Sequence, residues 1–141
     1  MSNLIRINNK LMTKNNKLLT AAAYVPPSPQ EEIIIPVLSV DEFGIIYDIN
    51  DIPLNTPITF SYTDYSGNPS HLPLYLSYAM YVSDWSDYYA SPNYALTDKE
   101  TTFTITDKGN YTGFNIGIFK SNLQEHIEYS NLSGYKLYYM A

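Results

Sequence analysis

The stretch Ser83-Asp-Trp-Ser-Asp-Tyr-Tyr89 comes closest to chemistry in this chain. Trp85, the single tryptophan, stands between Asp84 and Asp87, and Tyr88, Tyr89 and Tyr94 follow. Aromatic rings flanked by acids can stack on sugar rings or seat a partner protein. Two aspartates can contribute to a Ca²⁺ site, but the dense oxygen spacing of a calcium loop is missing. Two carboxylates can also form a glycosidase pair, although nothing in the sequence fixes their separation. The plainest reading is that Trp85, Tyr88, Tyr89 and Tyr94 pack on the body of the protein or on a neighbour. Glycan contact is the main alternative.

Other chemistry is sparse. His71 and His126 lie in unrelated segments, and neither has a Glu-x-x-His or His-x-His partner to build a metal site. The segment Asp48-Ile-Asn-Asp51 reads as an Asx turn before it reads as a cation loop. There is no cysteine, hence no thiol nucleophile, disulfide framework or thiolate zinc site. No phosphate loop or dinucleotide glycine fingerprint is present. No catalytic residue, cofactor or metal is expected.

The elements that would hold these residues read as strands. Tyrosine is the compositional outlier, at 15 of 141 residues, and its apolar body and polar tip suit half-buried strands. Ile33 to Val40 is apolar, and Pro36 within it marks an edge strand or a break. Further strand candidates run from Phe43 to Ile49, Pro57 to Thr63, Leu72 to Val82, Thr101 to Thr106, Tyr111 to Phe119 and Tyr135 to Met140. Period-two alternation puts Ile58, Phe60 and Tyr62 on one face, and Phe103 and Ile105 on another. Residues 83–93 read as a polar-aromatic loop, and 121–129 admits one short helical turn. About seven strands with turn signals between them predict an all-β antiparallel sandwich over 31–141.

Residues 1–30 differ. Asn8-Asn-Lys-Leu-Met-Thr-Lys14 is almost repeated as Asn15-Asn-Lys-Leu-Leu-Thr-Ala21. This segment carries Arg6, Lys10, Lys14 and Lys17 and no acid, a charge of +4, whereas the remainder sets four cations against fourteen acids, a net of −10. Leu4, Ile5 and Ile7 are β-prone, and Leu11, Leu18 and Leu19 supply further apolar anchors. Tyr24-Val-Pro-Pro-Ser-Pro-Gln30 predicts an extended linker spanning about 20 Å. A basic, strand-prone arm is suited to docking on an acidic surface, including another copy's body. Four cations without an arginine cluster make a thin nucleic-acid footprint. The apolar run 18–25 is short and broken by Thr20, so secretory processing is not expected. No run is long enough to span a membrane as a helix.

Two resemblances narrow these expectations. Asp107-Lys-Gly109-Asn-Tyr111, at the head of a predicted strand, resembles the corner between strands E and F of immunoglobulin-like domains, where a tyrosine hydroxyl bonds back across the turn. Gly113 stands where antibody-type domains carry Cys. This resemblance implies an Ig-like sandwich with an extended N-terminal arm. The arm itself, Ile7-Asn-Asn-Lys10-Leu11-Met-Thr13-Lys-Asn15-Asn-Lys17-Leu18 followed by the Pro-rich spacer and a β domain, resembles virion proteins of tailed phages, crAss-like phages among them. That likeness implies a non-enzymatic structural protein of a bacteriophage virion, assembled in the host cytoplasm. It would decorate the capsid as an auxiliary protein, with the major capsid protein or other virion subunits as partners. Host-surface glycans are a further partner class. The alternatives are a tail or head-fibre component and a secreted carbohydrate-binding module.

Overall fold

The computed structural model describes residues 30–141. The arm positions singled out above, Leu4 to Leu19, lie outside the described residues. The chain from Glu31 onward is all-β and antiparallel, as its alternation predicts. Ile33 to Val40 divides at Pro36 into two strands that enter different sheets: β1, Glu32–Ile34, and β2, Val37–Asp41. Both are edge strands, which is where a residue without an N–H is tolerated. Then follow β3 (Gly44–Asp48), β4 (Pro57–Ser61), β5 (Asp64–Tyr65), β6 (Tyr75–Tyr81), β7 (Tyr88–Ala90), β8 (Tyr94–Ala95), β9 (Glu100–Thr104), β10 (Gly113–Phe119), β11 (Leu132–Ser133) and β12 (Lys136–Met140).

One sheet has the order β1-β12-β4-β9, the other β2-β3-β10-β6-β7, with β8 also on β6. The two-residue strands β5 and β11 pair beyond the β4–β12 ladder. The pairings are nested: β1 with β12, β3 with β10, β4 with β9, β6 with β7. This is the order of a jelly roll, two interleaved Greek keys in a double sheet. It departs from immunoglobulin-like connectivity, in which the last two long strands lie side by side. Here β10 and β12 belong to different sheets, because residues 120–131 carry the chain across from one to the other. The stretch 83–93 is less of a loop than its polarity implies, since Tyr88–Ala90 pairs with Ala79–Tyr81. No α-helix occurs among the described residues; 121–128 is turn and irregular chain, followed by a 3-10 turn at Tyr129–Asn131.

The core lies between the sheets. Ile58, Phe60 and Tyr62 are buried together, as are Phe103 and Ile105. Aromatic rings run through the core and join the layers. Phe103 of β9 stacks on Tyr78 of β6 at 4.8 Å, and Tyr78 on Phe114 of β10 at 5.7 Å. Each such pair adds about 0.5–1.5 kcal/mol beyond area burial. Ion pairs contribute little by comparison. Lys136–Glu32 (2.7 Å) and Lys120–Glu125 (3.2 Å) involve exposed or half-exposed side chains, worth about 0–1 kcal/mol each.

Tyr47 is 1% exposed, and its hydroxyl has no hydrogen-bond partner among the described residues. Burial, with Tyr135 nearby, pushes its ionisation far above the ordinary tyrosine range. An unpaired buried hydroxyl costs about 1–3 kcal/mol. Tyr47→Phe is therefore expected to leave stability unchanged or to raise it by about 1 kcal/mol in urea denaturation. A clear loss would reveal a partner for that hydroxyl.

Candidate functional site

The register of β6 and β10 builds the site. Seven paired positions, Gly113↔Tyr81 through Phe119↔Tyr75, make this the longest ladder among the described residues. Alternation turns Leu76, Tyr78 and Met80, with Phe114, Ile116 and Ile118, into the core. It leaves Ser77, Ala79 and Tyr81, with Gly113, Asn115 and Gly117, on the opposite face. Ile46 of β3 pairs with Asn115, and Ala90 of β7 with Ala79, so one row across the sheet reads Ile46-Asn115-Ala79-Ala90. The result is a groove of about 410 Å³ on the outer face of the larger sheet. Its floor is made of small side chains.

Aromatic side chains stand at both ends. At one, the Tyr81 ring lies over Gly113, where a Cβ would overlap it. Trp85 stacks on Tyr81 at 3.9 Å and 14° between planes, with Tyr88 tilted against it at 5.9 Å. A tight turn sets this up: Trp85 N–H donates to the Val82 carbonyl (2.9 Å), and Ser86 N–H to Asp84 Oδ1 (3.0 Å). Those bonds from Ser86 hold the Asp84 carboxyl below its ordinary pKa. Trp85 adopts φ of +59°, a left-handed conformation costing a bulky residue about 1–2 kcal/mol. Trp85 nonetheless stays 47% exposed.

At the other end, His126 packs against Phe119 (4.4 Å) and edge-on to Phe43 (5.9 Å). A Cβ at Gly117 would come within 3.2 Å of both the His126 and Phe119 rings. The Tyr129 hydroxyl accepts the Ile118 N–H (2.8 Å), lies 3.4 Å from the Ile118 carbonyl oxygen and shares a hydrogen bond with His126 Nδ1 (2.9 Å). Burial pushes the His126 pKa down, against an opposing pull from the Asp41 carboxylate.

The four aromatics singled out from sequence are divided between two places. Trp85 and Tyr88 line the outer groove. Tyr89 and Tyr94 line a separate cleft of about 620 Å³, together with Tyr78 and the corner residues Asp107, Gly109 and Tyr111. There burial, with Tyr89 and Tyr94 close by, pushes the Tyr78 hydroxyl up to about 12. Gly109 does form a tight turn at φ +53°, with its N–H on Asp107 Oδ1 (2.8 Å). The Tyr111 hydroxyl faces the Asp87 carboxylate; desolvation and then that charge raise its pKa. This is not the backbone bond of an immunoglobulin corner. Asp48 Oδ1 accepts the Asn50 N–H (2.9 Å), an Asx turn as its sequence implies. His71 Nδ1 lies 2.6 Å from the Tyr65 hydroxyl, outside the groove.

Sequence reasoning overlooked Phe43, Asn115, Phe119 and the groove side of His126. They belong to distant segments that only cross-strand pairing unites. The alternation of Gly113, Asn115 and Gly117 was the available signal, since small outward residues leave room above a sheet. Among the described residues no group of three or more histidines and carboxylates could hold a metal. No family model, curated protein or solved structure matches this chain. The site is therefore read from its own chemistry.

His126 gives the fold a pH dependence with a defined sign. The unfolded ring takes a proton near pH 6.5, whereas the folded ring resists it. Stability is then complete above about pH 6.5 and declines as pH falls toward the lowered folded pKa. Urea midpoints at pH 7.5 and 5.5 should fall for the wild type and fall less for His126→Phe. Equal slopes would remove His126 as the cause.

Proposed function

We propose that the protein is a non-enzymatic structural component of a phage virion, of the auxiliary, capsid-decorating kind. Its basic arm docks on neighbouring subunits, and its jelly-roll body presents the receiving surface. The observation that carries this reading is strand β2. All five of its residues, Val37–Asp41, are exposed, and it is the outer strand of its sheet. Val37, Leu38 and Val40 are apolar there, and Phe43 just beyond is 60% exposed. An exposed apolar edge is a template for another strand unless it is covered. Asp41 and Glu42 close its end with negative charge.

The arm has the complementary chemistry. Leu4, Ile5 and Ile7 could extend the sheet beyond β2, and Arg6, Lys10, Lys14 and Lys17 would meet the acidic body. Ordering the arm only on its partner costs conformational entropy at assembly, which many copies on a symmetric shell offset through local concentration. Jelly rolls occur in viral capsid and lectin domains alike. That parallel is a fold-level analogy and assigns no function by itself.

Two measurements test the proposal. Trypsin should cut the isolated protein after Lys10, Lys14 and Lys17, and the same sites should be protected in assembled particles. Val40→Lys, which charges the β2 edge, should abolish incorporation while changing stability by less than about 0.5 kcal/mol. An arm already protected in the isolated chain, or normal incorporation of Val40→Lys, would overturn the docking mechanism.

A further inference from the structure

We infer that the groove between the Tyr81–Trp85 stack and the Phe43–His126–Phe119 cluster is a binding site for a neutral oligosaccharide. This inference goes beyond the virion reading and does not depend on it. A pyranose offers a face of C–H bonds and a rim of hydroxyls. The first needs flat aromatic surface, whose negative π-face attracts C–H edges. The second needs a few polar groups placed along an otherwise apolar wall. Both are present.

The aromatic ends belong to rows six residues apart along β6, Tyr81 and Tyr75 with its partner Phe119. At about 3.4 Å per residue this is a span of roughly 20 Å, which suits a chain of sugars better than a single ring. Between them Ser77, Ala79, Ala90 and Gly117 keep the floor low. An exposed sheet face normally carries polar side chains on its outward alternation. This face carries small residues bounded by rings.

The polar groups suit hydroxyls. The Asn115 side-chain amide lines the groove and has no hydrogen-bond partner among the described residues, and an amide offers both donors and an acceptor. His126 lines the groove with Nδ1 2.9 Å from the Tyr129 hydroxyl, and its other ring nitrogen donates or accepts according to the tautomer. Asp41 stands at the rim, one oxygen accepting the Phe43 N–H at 2.8 Å. No lysine or arginine lines the groove among the described residues, so an anionic sugar or phosphate would meet only the Asp41 charge. The ligand class is therefore neutral. Trp85 fits the same account: its left-handed backbone holds an indole out over the groove's end, and strained residues cluster where a function requires the geometry.

A proline-rich peptide also lies well on aromatic grooves, and the chain carries one between Tyr24 and Gln30. The Asp41 carboxylate at the rim only accepts hydrogen bonds, which sugar hydroxyls donate and proline nitrogens cannot, so the peptide becomes an outcome of the test. Trp85 is the only tryptophan, so its fluorescence reads the groove directly. The full chain is titrated with cellotetraose, maltotetraose, mannotetraose, an acidic sialyl-oligosaccharide and a peptide of residues 22–30. A saturable change with at least one neutral tetraose is expected. Ala79→Leu, which fills the floor from the outer face, should weaken it about tenfold or more, a difference of about 1.4 kcal/mol. Thermal melts establish that this variant stays folded; if it does not, Tyr88→Ala, at the exposed end, replaces it. No saturable change with any neutral tetraose overturns the inference. So does a change unaltered by the groove variants, or a response to the acidic sugar or the peptide alone.

Discussion

The β6–β10 ladder is the constraint on which the rest of the structure depends. Its seven paired positions run through the middle of the larger sheet, and its period of two sorts the side chains between the faces. Tyr78 and Phe114 face inward and meet Phe103 of the other sheet. Ala79 and Asn115, one step along, face outward and floor the groove. A register slip of one residue would expose that aromatic core and bury the groove floor. Core and groove are two faces of one pairing. The glycines fit the same logic. Gly113 and Gly117 leave the aromatic rings room to lie against the sheet surface, so the groove's ends are built by what β10 lacks.

The nested pairing explains where the molecule is closed and where it is open. Each outer pair brackets the next, from β1 with β12 inward to β6 with β7. Folding the chain into a rolled double hairpin places β12, β4, β3, β10 and β6 inside the sheets and leaves β1 and β9, and β2 and β7, at the rims. Pro36 moves the chain from one sheet to the other, and β2 is left as an apolar edge. Immediately N-terminal to β1, the sequence turns proline-rich and then basic. Edge strand and opposite charge are thus features of one end of the body and of the segment leading to it. The proposal of arm exchange gives them a common purpose.

Much of the local structure was legible in the sequence. Alternation at Ile58, Phe60 and Tyr62 and at Phe103 and Ile105 reports burial directly, because the strand period is built into the backbone. The break at Pro36 follows from its missing donor. The strand order was not legible. Immunoglobulin-like and jelly-roll sandwiches share short alternating strands and turn residues, and differ only in which distant strands pair. The Asp107–Tyr111 turn illustrates this: its glycine and aspartate act as local chemistry dictates, but the carboxylate that joins desolvation in raising the Tyr111 pKa, Asp87, is brought near by tertiary structure. The candidate site was half legible. Trp85 and Tyr88 announced it, but Tyr89 points to the opposite face from Tyr88 by simple alternation, and Tyr94 follows it into the cleft. Phe43, Asn115 and His126 join the groove through pairings that span the length of the body, which no local pattern encodes.

Groove, core and free edge all follow from strand order, which cross-strand nuclear Overhauser contacts between backbone protons test most directly. The jelly-roll order predicts contacts at Ile46–Asn115, Ile33–Tyr139 and Phe60–Leu137, with none joining β10 to β12. Contacts placing β12 beside β10 and β1 beside β3 would contradict it. They would restore an immunoglobulin-like order and remove β12 from between β1 and β4.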